Sequence, residues 1–134
     1  NAARLQEAGA RFREKGIAVS LFIEPDFAQI EAAKEVEADA VELHTGKYAE
    51  KVERGVEEDT FEELARLAKG AEYARSLGLR VHAGHGLDCR NIVPVLAIEE
   101  LEEFNIGYSI ICRAVFIGLR EAVQEMRSLI RNGQ

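Results

Sequence analysis

The chain has 134 residues, of which 47% are hydrophobic and 31% charged, and its formal net charge at pH 7 is -7. This length and composition are those of one globular domain with a single core, and they argue against a disordered or low-complexity chain. The 17 basic residues, set against 24 acidic ones, form no extended stripe, which argues against nucleic-acid binding and against an anionic membrane surface.

The first part of the chain predicts two helices and two strands. An apolar stripe at helical spacing predicts a first helix that ends at Gly16, a residue type that tolerates the left-handed backbone of a helix end. The apolar run 17–23 predicts a strand covered on both faces. Asp26 and Gln29 have the spacing of a helix-capping box and predict the start of a second helix, which the strand 40–45 follows.

The middle of the chain predicts a long loop and a long helix. The polar stretch 46–59 has the composition of a loop, and loops of this length are often functional. Thr60 and Glu63 form a second capping-box pattern, and the apolar residues after them recur at helical spacing as far as Gly78.

The last part predicts two more strands and two more helices. The strand 79–85 leads into a short helix within 91–97, a second strand is predicted at 106–112, and Leu119 begins the final helix. Strands that alternate with helices pair in parallel through right-handed crossovers, so the fold class is α/β. Residues 1–134 form a single unit, and four strand-helix units fit either an open doubly wound sheet or half of an eight-stranded barrel.

Polar residues cluster where the predicted strands end, which is where parallel α/β proteins place their reactive groups. Glu42 and His44 share one face of their strand, and His82 shares a face with Gly84. A carboxylate on an apolar strand must be paired, hydrogen-bonded or in use, so Glu42 is either part of a structural ion pair or a functional group.

His85 lies between two glycines at the end of the third strand. Histidine as a residue type suits proton transfer near neutral pH, although a single loop histidine is usually structural. Gly86 and Gly107 lie near ends of predicted strands that precede helices, where backbone N–H groups could bind a phosphate. Simple turn geometry is the competing interpretation of these glycines.

The remaining features favour a reducing, cytoplasmic compartment. Cys89 and Cys112 form no CxxC pair and have no ligand-like spacing to the histidines, so neither a disulfide nor a metal site is predicted. No apolar run reaches the roughly 18 residues of a membrane span. Since the chain opens with Asn1 in an amphipathic pattern, we expect the beginning of a longer protein to be absent.

Five collinear segments resemble the C-terminal part of the pyridoxine 5'-phosphate synthase family, which closes the pyridine ring of vitamin B6. They are GIAVSLFIEPD at 16–26, AVELHTGKYAE at 40–50, ELARLAK at 63–69, SLGLRVHAGHGL at 76–87 and NIGYSIICRAV at 105–115. The resemblance implies a (β/α)8 TIM barrel, of which this chain supplies about the last four strand-helix units and a preceding helix. The N-terminal half of the barrel would be missing, and a symmetric homo-oligomer is implied.

The resemblance also implies a reaction and a site. The family condenses 1-deoxy-D-xylulose 5-phosphate with 3-amino-2-oxopropyl phosphate, giving pyridoxine 5'-phosphate, phosphate and water, with no metal or organic cofactor. The proton donor would fall on His85 and the residue that stabilises the transition state on Glu42. Gly86, Gly107 and Tyr108 would bind the aminoketone phosphate, while His44 and His82 keep structural roles.

Two positions depart from the family pattern, which expects His at position 108 and Gly at position 112 where this chain has Tyr and Cys. Backbone donation from Tyr108 survives the first change, but a side-chain role does not follow. Two other functions stay open: a non-catalytic half-barrel that self-associates and binds phosphate, and another sugar-phosphate enzyme of the barrel class, since late-strand phosphate sites recur in that fold. A half-barrel taken alone would leave sheet edges unpaired and one face uncovered.

Overall fold

The computed structural model describes residues 2–133, which form seven helices and four strands. The helices are α1 (Ala2–Arg13), α2 (Phe27–Glu35), α3 (Gly46–Arg54), α4 (Glu57–Ser76), α5 (Ile92–Val95), α6 (Tyr108–Ile117) and α7 (Leu119–Gly133). The strands are β1 (Ser20–Ile23), β2 (Ala40–His44), β3 (Arg80–Gly84) and β4 (Leu101–Asn105). In this range no helix is long and apolar enough to cross a bilayer.

All four strands pair in parallel, in the order β1-β2-β3-β4. The α/β class with a parallel sheet is therefore confirmed. Each new strand adds on the same side of the previous one, as in a (β/α) barrel, whereas a doubly wound sheet reverses direction at a switch point. The order thus fits part of a barrel better than the open sheet that the sequence left possible.

The main core lies on one face of this sheet. Val41, Leu43, Val81 and Ala83 are fully buried there; helix α4 packs against β2 and β3, which carry them, and α2 packs against β1 and α4. Burying a side chain of this kind contributes roughly 1.5–3 kcal/mol, so this face holds the strands in register. The alternate residues of β1 and β2 point to the opposite face, where Phe22 is 55% exposed.

Local side-chain contacts explain where α2 begins. The Asp26 carboxylate accepts a hydrogen bond from the Gln29 backbone N–H at 3.1 Å, which confirms the predicted cap. The reciprocal bond differs from a standard capping box, because the Gln29 side chain accepts from the backbone N–H of Glu24 at 3.1 Å. This second contact ties the end of β1 to the start of α2.

The predicted loop at 46–59 is wrong, because helix α3 occupies most of it and α4 already begins at Glu57. Gly55, in the left-handed conformation, ends α3 and separates the two helices. Thr60 lies inside α4 and its hydroxyl donates to the Val56 carbonyl, so the predicted cap at Thr60 is also wrong. Three acidic residues in the first turn of α4 interact favourably with the helix dipole instead.

The predicted strand at 106–112 is wrong as well. Strand β4 is Leu101–Asn105, and most of the predicted segment belongs to helix α6. A short run such as SIIC reads equally well as strand or helix, since periodicity does not separate the two. The apolar pattern did not reveal the true strand, because Glu102 and Glu103 interrupt it. Both glutamates are exposed, since β4 lies at the sheet edge. Strand β1 is also shorter than predicted, covering 20–23 and not 17–23.

Candidate functional site

An open cleft of about 1550 Å³ lies at the carboxyl edge of the sheet. Its lining includes all five residues that the sequence singled out: Glu42, His85, Gly86, Gly107 and Tyr108. The parallel register explains their meeting, because β2, β3 and β4 end side by side, with Gly84 opposite both His44 and Asn105. The wrong assignment of the fourth strand did not displace Gly107 and Tyr108, which follow β4 directly.

Glu42 projects into this cleft from the uncovered face of β2, and its carboxylate accepts a hydrogen bond from the Asn105 side-chain amide at 3.0 Å. Gly84 lies between these two residues on β3. A Cβ atom at Gly84 would overlap the Glu42 carboxylate and would lie 3.0 Å from its Cδ and 3.1 Å from the Asn105 carbonyl oxygen. The absence of a side chain at Gly84 therefore gives the carboxylate its place.

The turn after β3 holds His85 and Gly86 in the left-handed region, with φ of 80° and 77°. Such a backbone is uncommon for histidine and needs support from its surroundings. The buried Thr45 hydroxyl lies 2.8 Å from the Gly84 carbonyl oxygen and 2.5 Å from that of His85. The Asn91 side-chain amide donates to the Gly86 carbonyl at 3.0 Å. The turn that presents the imidazole is thus fixed from both sides.

Asn91 is itself held by two residues. Its carbonyl accepts a hydrogen bond from the buried Tyr48 hydroxyl at 2.7 Å, and its side-chain oxygen accepts from the Asp88 backbone N–H at 2.8 Å. Burial, helped by the Asp88 charge, raises the pKa of Tyr48. Burial by itself would raise the pKa of Asp88, but hydrogen bonds from Arg90 and Asn91 outweigh it, so this pKa is lowered. Asp88, in the loop that lines the cleft, is therefore stabilised in its charged form.

Sequence reasoning missed a second group at the rim of the cleft. The His44 Nδ1 atom lies 2.9 Å from the Glu24 carboxylate, which also pairs with the Lys47 ammonium at 2.9 Å. Burial would raise the pKa of Glu24, but the hydrogen bonds from Lys47 and His44 lower it by more. The position of Glu24, immediately after β1 at the same sheet edge, was the signal available in the sequence.

The third histidine lies apart from the cleft lining. His82 is only 7% exposed, and its Nδ1 atom lies 3.8 Å from the Glu103 carboxylate of the neighbouring strand. The pairing of β3 with β4 is irregular between Val81 and His82. These surroundings fit the structural role expected for His82.

The N-terminus of α6 closes the far side of the cleft. Gly107 occupies the cap position, and Tyr108, the first helical residue, is 87% exposed. Backbone N–H groups in a first helical turn have no partner within the helix and attract anions. The Ser109 hydroxyl donates to the Leu87 carbonyl at 2.7 Å, which fixes this helix end beside the His85 turn.

The two unusual positions lie one turn apart on α6. A hydrogen bond with Cys112 raises the pKa of the Tyr108 phenol. Neighbouring Arg113 is bound by Glu125 of α7 at 2.8 Å, and this ion pair lowers the pKa of Glu125. The positive charge of Arg113 is therefore already paired with a carboxylate. Across residues 2–133, no three His, Cys, Asp or Glu side chains are grouped as metal ligands would be.

The comparisons with known proteins agree with one another. The family model described as "Pyridoxal phosphate biosynthesis protein PdxJ" matches residues 1–132. The chain is 51% identical over 122 residues to "Pyridoxine 5'-phosphate synthase" of Sulfurihydrogenibium sp. (strain YO3AOP1), covering 91% of this chain and 49% of that protein. Proteins of the same name from Trichlorobacter lovleyi and Chlorobium phaeobacteroides are 49% and 53% identical, over 98% and 95% of this chain and 54% and 52% of their own lengths. The chain thus spans about half the length of the curated relatives it matches.

Proposed function

The chain belongs to the PdxJ family of pyridoxal phosphate biosynthesis proteins, and we propose that it supplies the late-strand side of the active site of a pyridoxine 5'-phosphate synthase. The reaction would condense 1-deoxy-D-xylulose 5-phosphate with 3-amino-2-oxopropyl phosphate, giving pyridoxine 5'-phosphate, phosphate and water. The observation that carries the proposal is the meeting of Glu42, His85, Gly86, Gly107 and Tyr108 in one cleft.

His85 is the proposed proton donor. Imine formation, dehydration and ring closure each require proton transfers, and histidine is a common donor and acceptor of protons in such steps. The exposed position of His85 at the cleft gives substrate access, while Thr45 and Asn91 hold the turn that carries it. A mobile turn would lower the rate, because the proton donor would spend less time in the reactive orientation.

Glu42 is the proposed stabiliser of positive charge in the transition state. Its carboxylate is half-buried and held by Asn105, so it can face a protonated imine or an iminium carbon without first reorganising. The phosphate of the aminoketone would bind at the backbone N–H groups of Gly86, Gly107 and Tyr108. The start of α6 supports this part of the proposal, since a helix N-terminus favours an anion.

The proposal extends to the architecture. The sequential order of four parallel strands supports a (β/α)8 barrel in which β1 to β4 are the last four strands. A partner segment would then pair with the free sides of β1 and β4 and supply the remaining substrate contacts. Cytoplasmic location, independence from metal and organic cofactors, and a homo-oligomeric state are further parts of the proposal that follow from the family.

The test is formation of pyridoxine 5'-phosphate by the complete polypeptide that contains these residues. Both phosphorylated substrates are supplied together and then singly, and the product is identified by mass and by the absorbance of its pyridine ring. We expect product only with both substrates, and a loss of kcat of at least about 100-fold in His85→Ala. Absence of product, or an unchanged rate in His85→Ala, would refute the assignment.

Self-association of a non-catalytic half-barrel is the second candidate, and the exposed apolar surface of α6 favours it. Val115 and Phe116 are 79% and 84% exposed. Sedimentation of residues 1–134 alone, with and without inorganic phosphate, separates the candidates. The second candidate would be supported by two results together: residues 1–134 form a stable dimer that binds phosphate, and the complete polypeptide makes no pyridoxine 5'-phosphate.

A further inference from the structure

Two imidazole rings are in contact at the rim of the cleft. The ring centroids of His44 and His85 are 4.6 Å apart, with an angle of 42° between the ring planes. The Phe22 ring meets His44 edge-on at 5.0 Å and lies 6.4 Å from the His85 ring, so the three rings form one cluster in which His44 is the nearer neighbour of the proposed proton donor. Contacts of this geometry are attractive and restrict ring orientation.

The close approach of the two rings depends on Gly46. A Cβ atom at this position would lie 2.7 Å from His44 Cε1 and 2.9 Å from His85 Cδ2. Both distances are far below van der Waals contact, so any larger residue would push at least one ring aside. The start of α3 thus leaves a space into which both imidazoles fit.

Glu24 fixes the orientation of His44. The carboxylate lies 2.9 Å from His44 Nδ1 and is itself held by Lys47 at 2.9 Å and by Arg66 at 3.4 Å. A carboxylate at this distance favours a proton on Nδ1, which sets the tautomer of a neutral ring and its direction. Glu24, which follows β1, is thus held by one residue of α3 and one of α4, and its carboxylate holds the His44 side chain.

We propose that His44 is a positioning residue, which orients His85 through ring contact and is itself oriented by Glu24. The inference rests on the proposed function, since the position of His85 matters only if that residue donates a proton. His85 is exposed and has an uncommon backbone conformation, so its side chain needs a neighbour that limits its rotation. The orienting surface is the His44 ring, and no proton passes through it.

The experiment compares three substitutions in the complete polypeptide. His44→Ala removes the ring, His44→Phe keeps a flat ring without nitrogen atoms, and Glu24→Ala frees the ring to rotate. Glu53→Gln is the matched control, because Glu53 is an exposed residue of the same cleft lining and belongs to neither pair. Each variant is measured for kcat, for KM of both substrates and for thermal unfolding.

We expect His44→Ala to lower kcat about 10- to 100-fold, because a misplacement near 1 Å has effects of this size. KM should change less than about threefold, since the proposed phosphate contacts lie elsewhere. His44→Phe and Glu24→Ala should both give a kcat between those of His44→Ala and the wild type, since each keeps a ring beside His85 but removes the hydrogen bond that orients it. An unchanged kcat in His44→Ala would overturn the proposal. A folded His44→Phe variant that is as slow as His44→Ala would also overturn it, because a flat ring beside His85 would then give no advantage.

Proton NMR of the substrate-free polypeptide tests the contact independently of activity. We expect a nuclear Overhauser effect between the two imidazole rings in the wild type, and a changed His85 ring resonance in His44→Ala but not in Glu53→Gln. An unchanged His85 resonance in His44→Ala would overturn the inference. If the wild type shows the contact but makes no pyridoxine 5'-phosphate, the proposed function fails while the contact stands. If His44→Ala does not fold, His44→Phe and Glu24→Ala decide: a wild-type kcat in both would overturn the proposal.

Discussion

Gly84→Ala is the substitution that the structure makes most informative, because a single methyl group would enter the space of the Glu42 side chain. The new Cβ would lie 3.0 Å from Glu42 Cδ and 3.1 Å from the Asn105 carbonyl oxygen. The backbone oxygen belongs to a paired strand and yields little, so the Glu42 side chain must rotate. Its hydrogen bond with the Asn105 amide, now 3.0 Å, would then be lost.

The expected cost follows from these contacts. Overpacking of a strand interior costs about 1–3 kcal/mol, and a hydrogen bond to a charged group is worth about 1.5–3 kcal/mol when buried. Because Asn105 is exposed, the lower ends apply, and we expect about 2–3 kcal/mol in total. Unfolding of the complete polypeptide should then occur about 5–10 °C lower. A carboxylate displaced by about 1 Å should also lower kcat roughly 100-fold.

A double-mutant cycle isolates the clash. In a Glu42→Ala background the side chain that obstructs the methyl group is gone, so Gly84→Ala should cost less than about 1 kcal/mol. Gly107→Ala serves as the stability control, since its Cβ would meet no atom within 4 Å and its φ of -121° suits any residue. Additive losses in the Glu42→Ala and Gly84→Ala pair would refute this account of the carboxylate.

Three further predictions concern the supports of the cleft. Thr45→Val removes the buried hydroxyl beside the His85 carbonyl and should cost about 1–3 kcal/mol by chemical denaturation; a cost below about 0.5 kcal/mol would contradict the role given to Thr45. Asp88→Asn should lower the free energy of unfolding at neutral pH. The lowered pKa of Asp88 means that its contribution is complete above the unfolded value of about 3.9 and is lost as the pH falls through the folded value. The difference in free energy of unfolding between Asp88→Asn and the wild type should therefore vanish in acid. A difference that does not change with pH would contradict a stabilising role for the Asp88 carboxylate. Tyr108→Pro, which removes the backbone N–H at a first helical position that accepts proline, should raise KM for the aminoketone phosphate more than Tyr108→Ala; equal KM values would argue against backbone donation.

The sequence predicted the candidate site better than it predicted the elements. Polar residues at strand ends were sufficient to bring Glu42, His85 and Gly86 together, because parallel strands place their carboxyl ends at one edge. Gly107 and Tyr108 reached the same cleft although their segment was predicted as a strand and forms the start of a helix. Their position in the chain, just after the fourth strand, mattered more than their conformation.

Tertiary context explains what the sequence did not reveal. The edge strand β4 contains two exposed glutamates, so its pattern lacks the apolar run that marks a central strand. Helix α3 reads as polar because most of its surface faces solvent, and only Tyr48 is buried. The contacts of His44 join residues 20 and 41 positions apart, to Glu24 and to His85, and no local pattern predicts such pairs.

The most direct test of the account is the crystal structure of the complete polypeptide with pyridoxine 5'-phosphate bound. The proposed site requires the pyridine ring to lie between Glu42 and His85, with the phosphate accepting hydrogen bonds from the backbone N–H groups of Gly86, Gly107 and Tyr108. A product molecule bound away from this edge of the sheet, or a phosphate that contacts none of these three groups, would contradict it.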